Sequence, residues 1–427
     1  MREIDEKYIS AEAMEESGRL GYEFYRSIGS PSCVVAPMVD QSELAFRRLC
    51  RRYGSTLCYT PMYNSKIFAT NSFYRRNNFD PHPEDRPLFV QFCGNDPALL
   101  LTSAKFVEKD CDAVDLNLGC PQGIARKGFY GAFLLEQWDL LREIVSTLSR
   151  NLSIPVTCKV RLLDSPEDTI NMCKMLVAAG ASVGASVKSR IITVHGRTKE
   201  QKGRMASACD WDTIRRIKQA VPVPVFANGG VARLDDVARC LQETTCDGVM
   251  SSEAVLENPG LFSGSVSSLT RTTKSKDDIV LEYLQLAKES PLHTRGRTSL
   301  SCLRGHLFKL LFTALAVKVD LRVKLARAQS LEEMASNLAL GEEIAVAIRD
   351  ARLADPSAFD EEKTWYRRHT NSHTPEEWGT PEEEWAAHQK VVSEQRSREP
   401  PEEDVGLGDA CLCFLGEGIG EGGDGDY

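Results

Sequence analysis

The chain has 427 residues, 42% of them hydrophobic and 26% charged, enough apolar material for a large soluble core. Its formal net charge is −9, but residues 351–427 carry 19 acidic and 7 basic side chains, which leaves +3 for residues 1–350; the overall sign therefore excludes no nucleic-acid partner for the folded part. The fourteen cysteines are scattered, with no Cys-x-x-Cys and no Cys/His cluster at zinc spacing, which argues against a structural zinc site and against a disulfide framework.

Residues 1–21 are charged and lack the apolar core of a signal peptide, and no stretch approaches the apolar length of a membrane span. A soluble, intracellular monomer is expected, in the cytoplasm with the nucleus left open. Residues 1–30 read as a leader with some helical character. From Cys33 onward, short apolar runs ending in polar residues alternate with amphipathic segments of helix length, the pattern of repeated βα units. The predicted strands cover 33–38, 57–59, 88–91, 113–117, 156–160, 191–195, 225–228 and 248–250. Between them, 98–109, 134–152, 166–179, 211–220 and 234–241 carry apolar residues at three- and four-residue steps and are read as outer helices. Eight units in about 220 residues predict a TIM barrel over 31–265 rather than a doubly wound sheet, which has fewer strands and a Gly-rich first turn that is absent here.

Past Phe262 the pattern becomes helical. Helices are predicted at 279–288, 302–318, 321–328, 331–337 and 342–351, forming a smaller all-helical C-terminal domain over 275–352. Between positions 291 and 327, eight Lys or Arg stand against one acidic residue, Asp320. Residues 353–427, rich in Pro and Glu and then in Gly and acid, read as a mostly disordered acidic tail. Cys411-x-Cys413 within it is too little for a metal site.

In a TIM barrel, chemistry collects where strands end at their C-terminal side. Those ends read Pro37-Met38, Gln91, Asn117 with Cys120 just beyond, Lys159 and Arg161, His195-Gly-Arg197, Asn228-Gly229-Gly230 and Ser251-Ser252. Glycines near strands seven and eight let the backbone approach a phosphate. Lys159 sits in an otherwise apolar strand, and a buried ammonium costs on the order of several kcal/mol unless an anion accompanies it. The N1–C2=O edge of a reduced flavin is such an anion; Gln91 suits the isoalloxazine rim and His195 the phosphate or the pyrimidine edge. Each residue alone is equally well a satisfied core polar group, but together, on successive strands, they favour a flavin.

Several longer stretches carry a resemblance. Ala36-Pro-Met38 with Ser42-Glu-Leu-Ala-Phe-Arg47, Gln91 in Val-Gln-Phe-Cys-Gly, Asn117-Leu-Gly-Cys-Pro121, Lys159-Val-Arg161, Val194-His-Gly-Arg-Thr198 and Asn228-Gly-Gly230 occur in the order found in the tRNA-dihydrouridine synthases, which this chain resembles from about residue 31 to 330. Leu303-Arg-Gly-His-Leu-Phe-Lys-Leu310 and Asp320-Leu-Arg-x-x-Leu-Ala326 are similar to the C-terminal domain of the eukaryotic class acting on uridines 16 and 17. The resemblance implies that NADPH reduces FMN, that the flavin N5 hydride goes to C6 of a uracil flipped out of the tRNA D-loop, and that Cys120 gives a proton to C5. A thiol suits that role, since its unperturbed pKa of about 8.5 keeps it mostly protonated at neutral pH. Carried over residue by residue, the flavin contacts are Pro37, Met38, Val39, Gln91, Lys159, His195, Asn228, Gly229, Gly230, Ser252 and Glu253. Asn117, Arg161 and Arg197 are expected to face the uracil or the nearby RNA backbone. Arg304, Lys309, Arg322 and Lys324 are expected to meet tRNA phosphates. No metal is implied.

Three stretches depart from the resemblance. Residues 181–190 insert before the strand that carries His195, either as a harmless loop at the barrel's N-terminal face or as a disturbance of that strand. Ser251-Ser252-Glu-Ala254 stands where many relatives have Gly-Arg, and 204–209 replaces a glycine-containing run. Two other readings stay open. A flavin dehydrogenase acting on a free pyrimidine would not need the basic helices; a catalytically idle tRNA-binding protein would not need Cys120, Lys159 and His195.

Overall fold

The computed structural model describes residues 11–180, 189–202, 206–263, 275–290, 297–327 and 334–355. Nine strands form one parallel sheet: β1 (Cys33–Val35), β2 (Leu57–Tyr59), β3 (Tyr63–Asn64), β4 (Leu88–Cys93), β5 (Ala113–Leu118), β6 (Val156–Arg161), β7 (Ser189–His195), β8 (Val225–Asn228) and β9 (Gly248–Ser251). β1 pairs with both β2 and β9, and β2 pairs with β4, so eight strands close on themselves as the predicted TIM barrel. β3 is an extra two-residue strand on the far end of β4. It is too short to show any periodicity in sequence.

Strand alternation sorts the side chains. Val34, Leu57, Phe89, Ala113, Ile191 and Phe226 point inward and fill the lower barrel as one buried apolar cluster. One or two inward positions later on four of these strands stand Gln91, Asp115, Asn117, His195 and Asn228, and at the same level on β6 stand Lys159 and Arg161. The register sets Gln91 beside Asp115, Asn117 beside Lys159, Arg161 beside His195, and His195 beside Asn228. The insertion before β7 leaves this intact: residues 181–188 lie outside the described residues, the register shifts only between Val156 and Thr157, and from Ile191 to His195 the pairing is continuous.

Residues 1–30 are not simply a leader. From Ala11 to Ser27 the chain is a helix that closes the lower end of the barrel; residues 1–10 lie outside the described residues. Phe24 stacks on Phe89 with ring centroids 6.0 Å apart, and Tyr25 meets Phe226 at 6.2 Å. The Tyr22 hydroxyl donates to Asp247 Oδ1 at 3.0 Å and Lys218 Nζ donates to Oδ2 at 2.7 Å, tying the helix to the loop before β9. The lower mouth would otherwise leave these apolar side chains in water.

The outer helices begin where capping residues stand. Asp96 accepts from the Ala98 and Leu99 amides ahead of Pro97–Val107, and Asp210 accepts from Thr213 N ahead of Trp211–Ala220. The C-terminal region contains the helices Lys276–Glu289, Arg297–Leu310, Phe312–Val317, Val319–Arg327 and Met334–Ala354. Two boundaries differ from expectation. The helix expected at 302–318 breaks at Leu311, where adjacent Leu310 and Leu311 are both buried and the chain turns to cover them. The two helices expected at 331–337 and 342–351 are one from Met334 on, because Gly341 packs directly on Leu284 and Leu307, whose methyls lie 3.1 and 3.2 Å from where its Cβ would be. The acidic tail lies outside the described residues beyond Asp355.

Candidate active site

The mouth of the barrel is organised by a buried chain of hydrogen bonds. Thr157 Oγ1 and Gln91 Nε2 donate to the two oxygens of Asp115 at 2.6 and 2.8 Å. Asn117 Nδ2 donates to Gln91 Oε1 at 2.8 Å, and Asn117 Oδ1 accepts from the Gly119 and Cys120 amides at 3.2 and 2.9 Å. The side chain of Asn117 thereby fixes the turn that carries Cys120. Burial pushes the Asp115 carboxyl up to about 6, against Thr157, Gln91 and Lys159, which favour the charged form.

The other side of the Cys120 turn rests on Gly131. That glycine has φ +65, and an added Cβ would lie 2.7 Å from Cys120 O and 3.0 Å from Cys120 Cβ, so only glycine lets the two backbones approach this closely. Ala132 N donates to Cys120 O at 3.0 Å. Arg161 braces the turn from inside, with Nε donating to Gly119 O at 2.9 Å and NH1 to Thr198 O at 2.6 Å. The thiol itself is partly accessible. Burial raises its pKa, opposed by the Gln122 backbone and by Arg161, Lys159 and Lys202, so the sulfur stays protonated at neutral pH.

Lys159 stands beside Asn117 and points into the same mouth. Burial, and then Arg161, hold its ammonium down to about 8 while Asp115 pulls the other way. It retains some accessible surface, and no hydrogen-bond partner meets it among the described residues. Next along the rim, His195 Nε2 lies 3.2 Å from Arg197 NH1, whose Nε donates to Ser207 O at 2.6 Å. Gly229 and Gly230 follow β8 at φ +100 and +76. The Gly229 backbone lies directly on the His195 ring, with Cδ2 2.9 Å and Nε2 3.0 Å from where a Cβ would stand. Trp211 Nε1 pins Gly229 O at 3.0 Å, and Asn228 Nδ2 donates to Met250 O at 2.9 Å.

The residues expected at the site fall into three groups. Cys120, Lys159, His195, Gly229, Gly230, Pro37, Met38 and Val39 belong to strands or loops that open on the mouth, with Val39 55% exposed; Ser252 and Glu253 follow β9 on the same rim, half-buried. Gln91, Asn117, Arg161, Arg197 and Asn228 are buried and hydrogen-bonded to neighbouring protein groups. Arg304, Lys309 and Arg322 are half-buried on the C-terminal helices, and Lys324 is exposed with its ammonium 2.7 Å from Glu343 Oε1. Asp115 and Thr157 escaped the sequence reading, although the inward alternation Asp115–Asn117 would have located the first. Phe129, 43% exposed, has a φ of +49, which is unusual for a bulky residue and which no sequence signal foretells.

A cation with no hydrogen-bond partner among the described residues, and on the same rim two glycines in left-handed conformations that bring backbone against His195, fit a ligand with an anionic edge and a phosphate. These residues therefore fit a flavin. Among the described residues there is no cluster of three or more His, Cys, Asp or Glu able to hold a metal, and no helix long and apolar enough to cross a membrane.

The dihydrouridine synthase (Dus) family model matches residues 34–349. The tRNA-dihydrouridine(16/17) synthase, NAD(P)(+) type, of Saccharomyces cerevisiae is 46% identical over 312 residues, 72% of this chain and 71% of that protein. Its Schizosaccharomyces pombe counterpart is 45% identical over 311 residues, 72% and 76% of the two chains. A Mus musculus protein of the same description, with the suffix "-like", is 46% identical over 319 residues, 74% and 63%. The strand ends that gather around Cys120, the closed barrel beneath them and the span of these matches agree: this chain belongs to the dihydrouridine synthase family.

Proposed function

We propose that the chain reduces the C5–C6 double bond of uridine in the tRNA D-loop to dihydrouridine, at positions 16 and 17, with FMN as its flavin and NADPH as reductant. The observation that carries this reading is a protonated thiol on the braced turn that follows β5, with Lys159 on the neighbouring strand β6, level with Asn117, acting on it electrostatically and having no hydrogen-bond partner among the described residues. Lys159, His195, Gly229 and Gly230, with the Pro37–Val39 loop, would hold the flavin, which when bound supplies the hydride taken up at uracil C6. Cys120 Sγ gives its proton to C5, so that one hydride and one proton saturate the ring. Lys159, Arg161 and Lys202, which favour the thiolate, temper the charge left on the sulfur. Asn117 and Gln91 keep that sulfur in place through the backbone of its turn. An extruded base can enter the open mouth, while Arg304, Lys309, Arg322 and Lys324 meet the phosphates of the tRNA body.

The test is dihydrouridine formation in tRNA by the purified chain with NADPH, mapped by position. Product at 16 and 17 is expected, and its formation should be largely lost with Cys120→Ala although flavin and tRNA still bind. A colourless protein that FMN cannot reconstitute, or a flavoprotein that leaves tRNA unchanged, would overturn the reading. Changing Arg304, Lys309, Arg322 and Lys324 to Glu should weaken tRNA binding by about tenfold or more and leave flavin binding unaltered; unaltered tRNA affinity would return these side chains to an ordinary solvated surface.

A further inference from the structure

Glu43 precedes helix Leu44–Arg52 but does not cap it with its side chain. The carboxylate instead reaches into the C-terminal domain. The Tyr283 hydroxyl donates to its Oε1 at 2.9 Å, and His306 Nε2 lies 2.9 Å from its Oε2. His306 is fully buried, stacked on Phe46 with centroids 4.3 Å apart and edge-on to Tyr283 at 4.9 Å. Its Nδ1 has no hydrogen-bond partner among the described residues. A neutral ring that donates Nε2–H to Glu43 leaves only a lone pair unmatched, whereas the other tautomer would bury an orphan N–H. Burial and Glu43 together push the Tyr283 phenol up, which keeps it a donor. Glu43 is thus the common acceptor of two helices of the C-terminal domain.

A buried polar group of this kind is weak as a source of stability, since apolar residues of the same volume would do as well. Its distinguishing property is what it connects. Ser42, next in the chain, accepts from Met38 N at 3.0 Å and donates to Met38 O at 3.1 Å through one hydroxyl, and Arg47 NH1 donates to Ser42 O at 2.6 Å while pairing with buried Asp85. Met38 belongs to the loop that borders the barrel mouth. On the other side, His306 lies on the helix Arg297–Leu310, which also carries Arg304 and Lys309. The Ser42–Glu43 peptide bond thus joins two sets of directional hydrogen bonds, one to the mouth loop and one to that helix. The Arg48–Glu289 pair across the same boundary, with Glu289 43% exposed, offers no comparable rigidity.

We propose that Glu43, with Tyr283 and His306, is a positioning group that sets the RNA-binding helices against the mouth of the barrel, so that a tRNA seated on those helices presents its target base to Cys120. This rests on the reading of the chain as a tRNA-uridine reductase. Glu43→Gln keeps the shape but puts an NH2 group where a second acceptor is needed; Tyr283→Phe removes a single oxygen and spares the ring packing. In the full-length flavin-loaded chain, each variant should lower kcat/KM for tRNA about ten- to a hundredfold, the scale of a small misplacement of bound reactants. The rate of flavin reduction by NADPH in the absence of tRNA and the flavin content should stay at wild-type values. A Tm loss with wild-type kcat/KM per folded, flavin-loaded molecule would make the cluster merely structural and overturn the proposal, as would unchanged kinetics in both variants. Wild-type chain that forms no dihydrouridine would instead overturn the functional reading on which the proposal rests.

Discussion

The two ends of the barrel are built from the same strands and treat polar groups in opposite ways. At the lower end Phe89, Phe226 and Ile191 are covered by Phe24 and Tyr25; of the carboxylates there, Asp247 is met by Tyr22, Lys218 and the Val225 amide, and Asp112 by the Leu88 amide and Arg86. Two or four residues further along, Lys159 carries a charge with no hydrogen-bond partner among the described residues, and Asp115 is buried deeply enough to be pushed up to about 6. The lower end is resolved by the chain's own contacts. The upper end meets Asp115 with Thr157 and Gln91 but leaves the Lys159 ammonium without a hydrogen-bond partner among the described residues, and substitutions at the two ends should separate stability from chemistry.

The sharpest separation is expected at Cys120. Cys120→Ala removes the proton donor while Asn117, Arg161 and Gly131 still hold the turn, so dihydrouridine formation should fall by about 10²–10⁴-fold, the scale of general-acid catalysis. The thermal midpoint should stay within a few degrees of wild type; a large drop would mean that the sulfur is chiefly a core atom.

Lys159→Met should come next and move the two quantities in opposite directions. Flavin affinity should fall by about ten- to a hundredfold, as expected when one partner of a charge-assisted contact is lost. Stability of the flavin-free protein at pH 7 should rise, by about a few degrees in Tm. The sign follows from the folded pKa of about 8 lying below the usual lysine value of about 10.4. Between those limits the unfolded state binds more protons, so wild type gains stability as pH rises through 8. The advantage of the methionine variant should therefore be largest below pH 8 and shrink above it. Thermal melts of both flavin-free proteins across that range give the answer, and a pH-independent difference would mean that Lys159 is not strained by burial.

Legibility in the sequence follows the same division between the ends. All eight barrel strands could be read because each apolar run is short and bounded, and the site because a lysine, a histidine and an asparagine ending successive runs are together hard to explain as core polar groups. The resemblance then supplied Cys120 and the loop residues together. What could not be read is set by contacts distant in sequence. Nothing local tells that Phe24 meets Phe89, that Gly341 is a close approach to Leu284 and Leu307 rather than a helix end, or that Gln91 and Arg161 spend their donors on Asp115 and on the carbonyls of Gly119 and Thr198. The residue types at the mouth were visible. Which of them face the opening and which hold their neighbours is decided by the closed barrel.

The smallest effect is expected at the lower end, from Phe24→Ala. Phe24 is half-buried, with one face on Phe89, so losing the ring should cost about 1–2 kcal/mol, less than a fully buried phenylalanine would. For a domain of this size that lowers Tm by about 2–8 °C. The strands join Phe89 to Gln91 and Phe226 to Asn228, yet close packing confines the damage because the helix Ala11–Ser27 can settle into the gap without moving the closed sheet. The turnover number per folded molecule and the flavin affinity should therefore match wild type, as measured by dihydrouridine formation at saturating tRNA and by flavin titration. A fall in turnover without a fall in Tm would show that the plug sets the geometry of the mouth, and the two ends would then have to be treated as one mechanical unit.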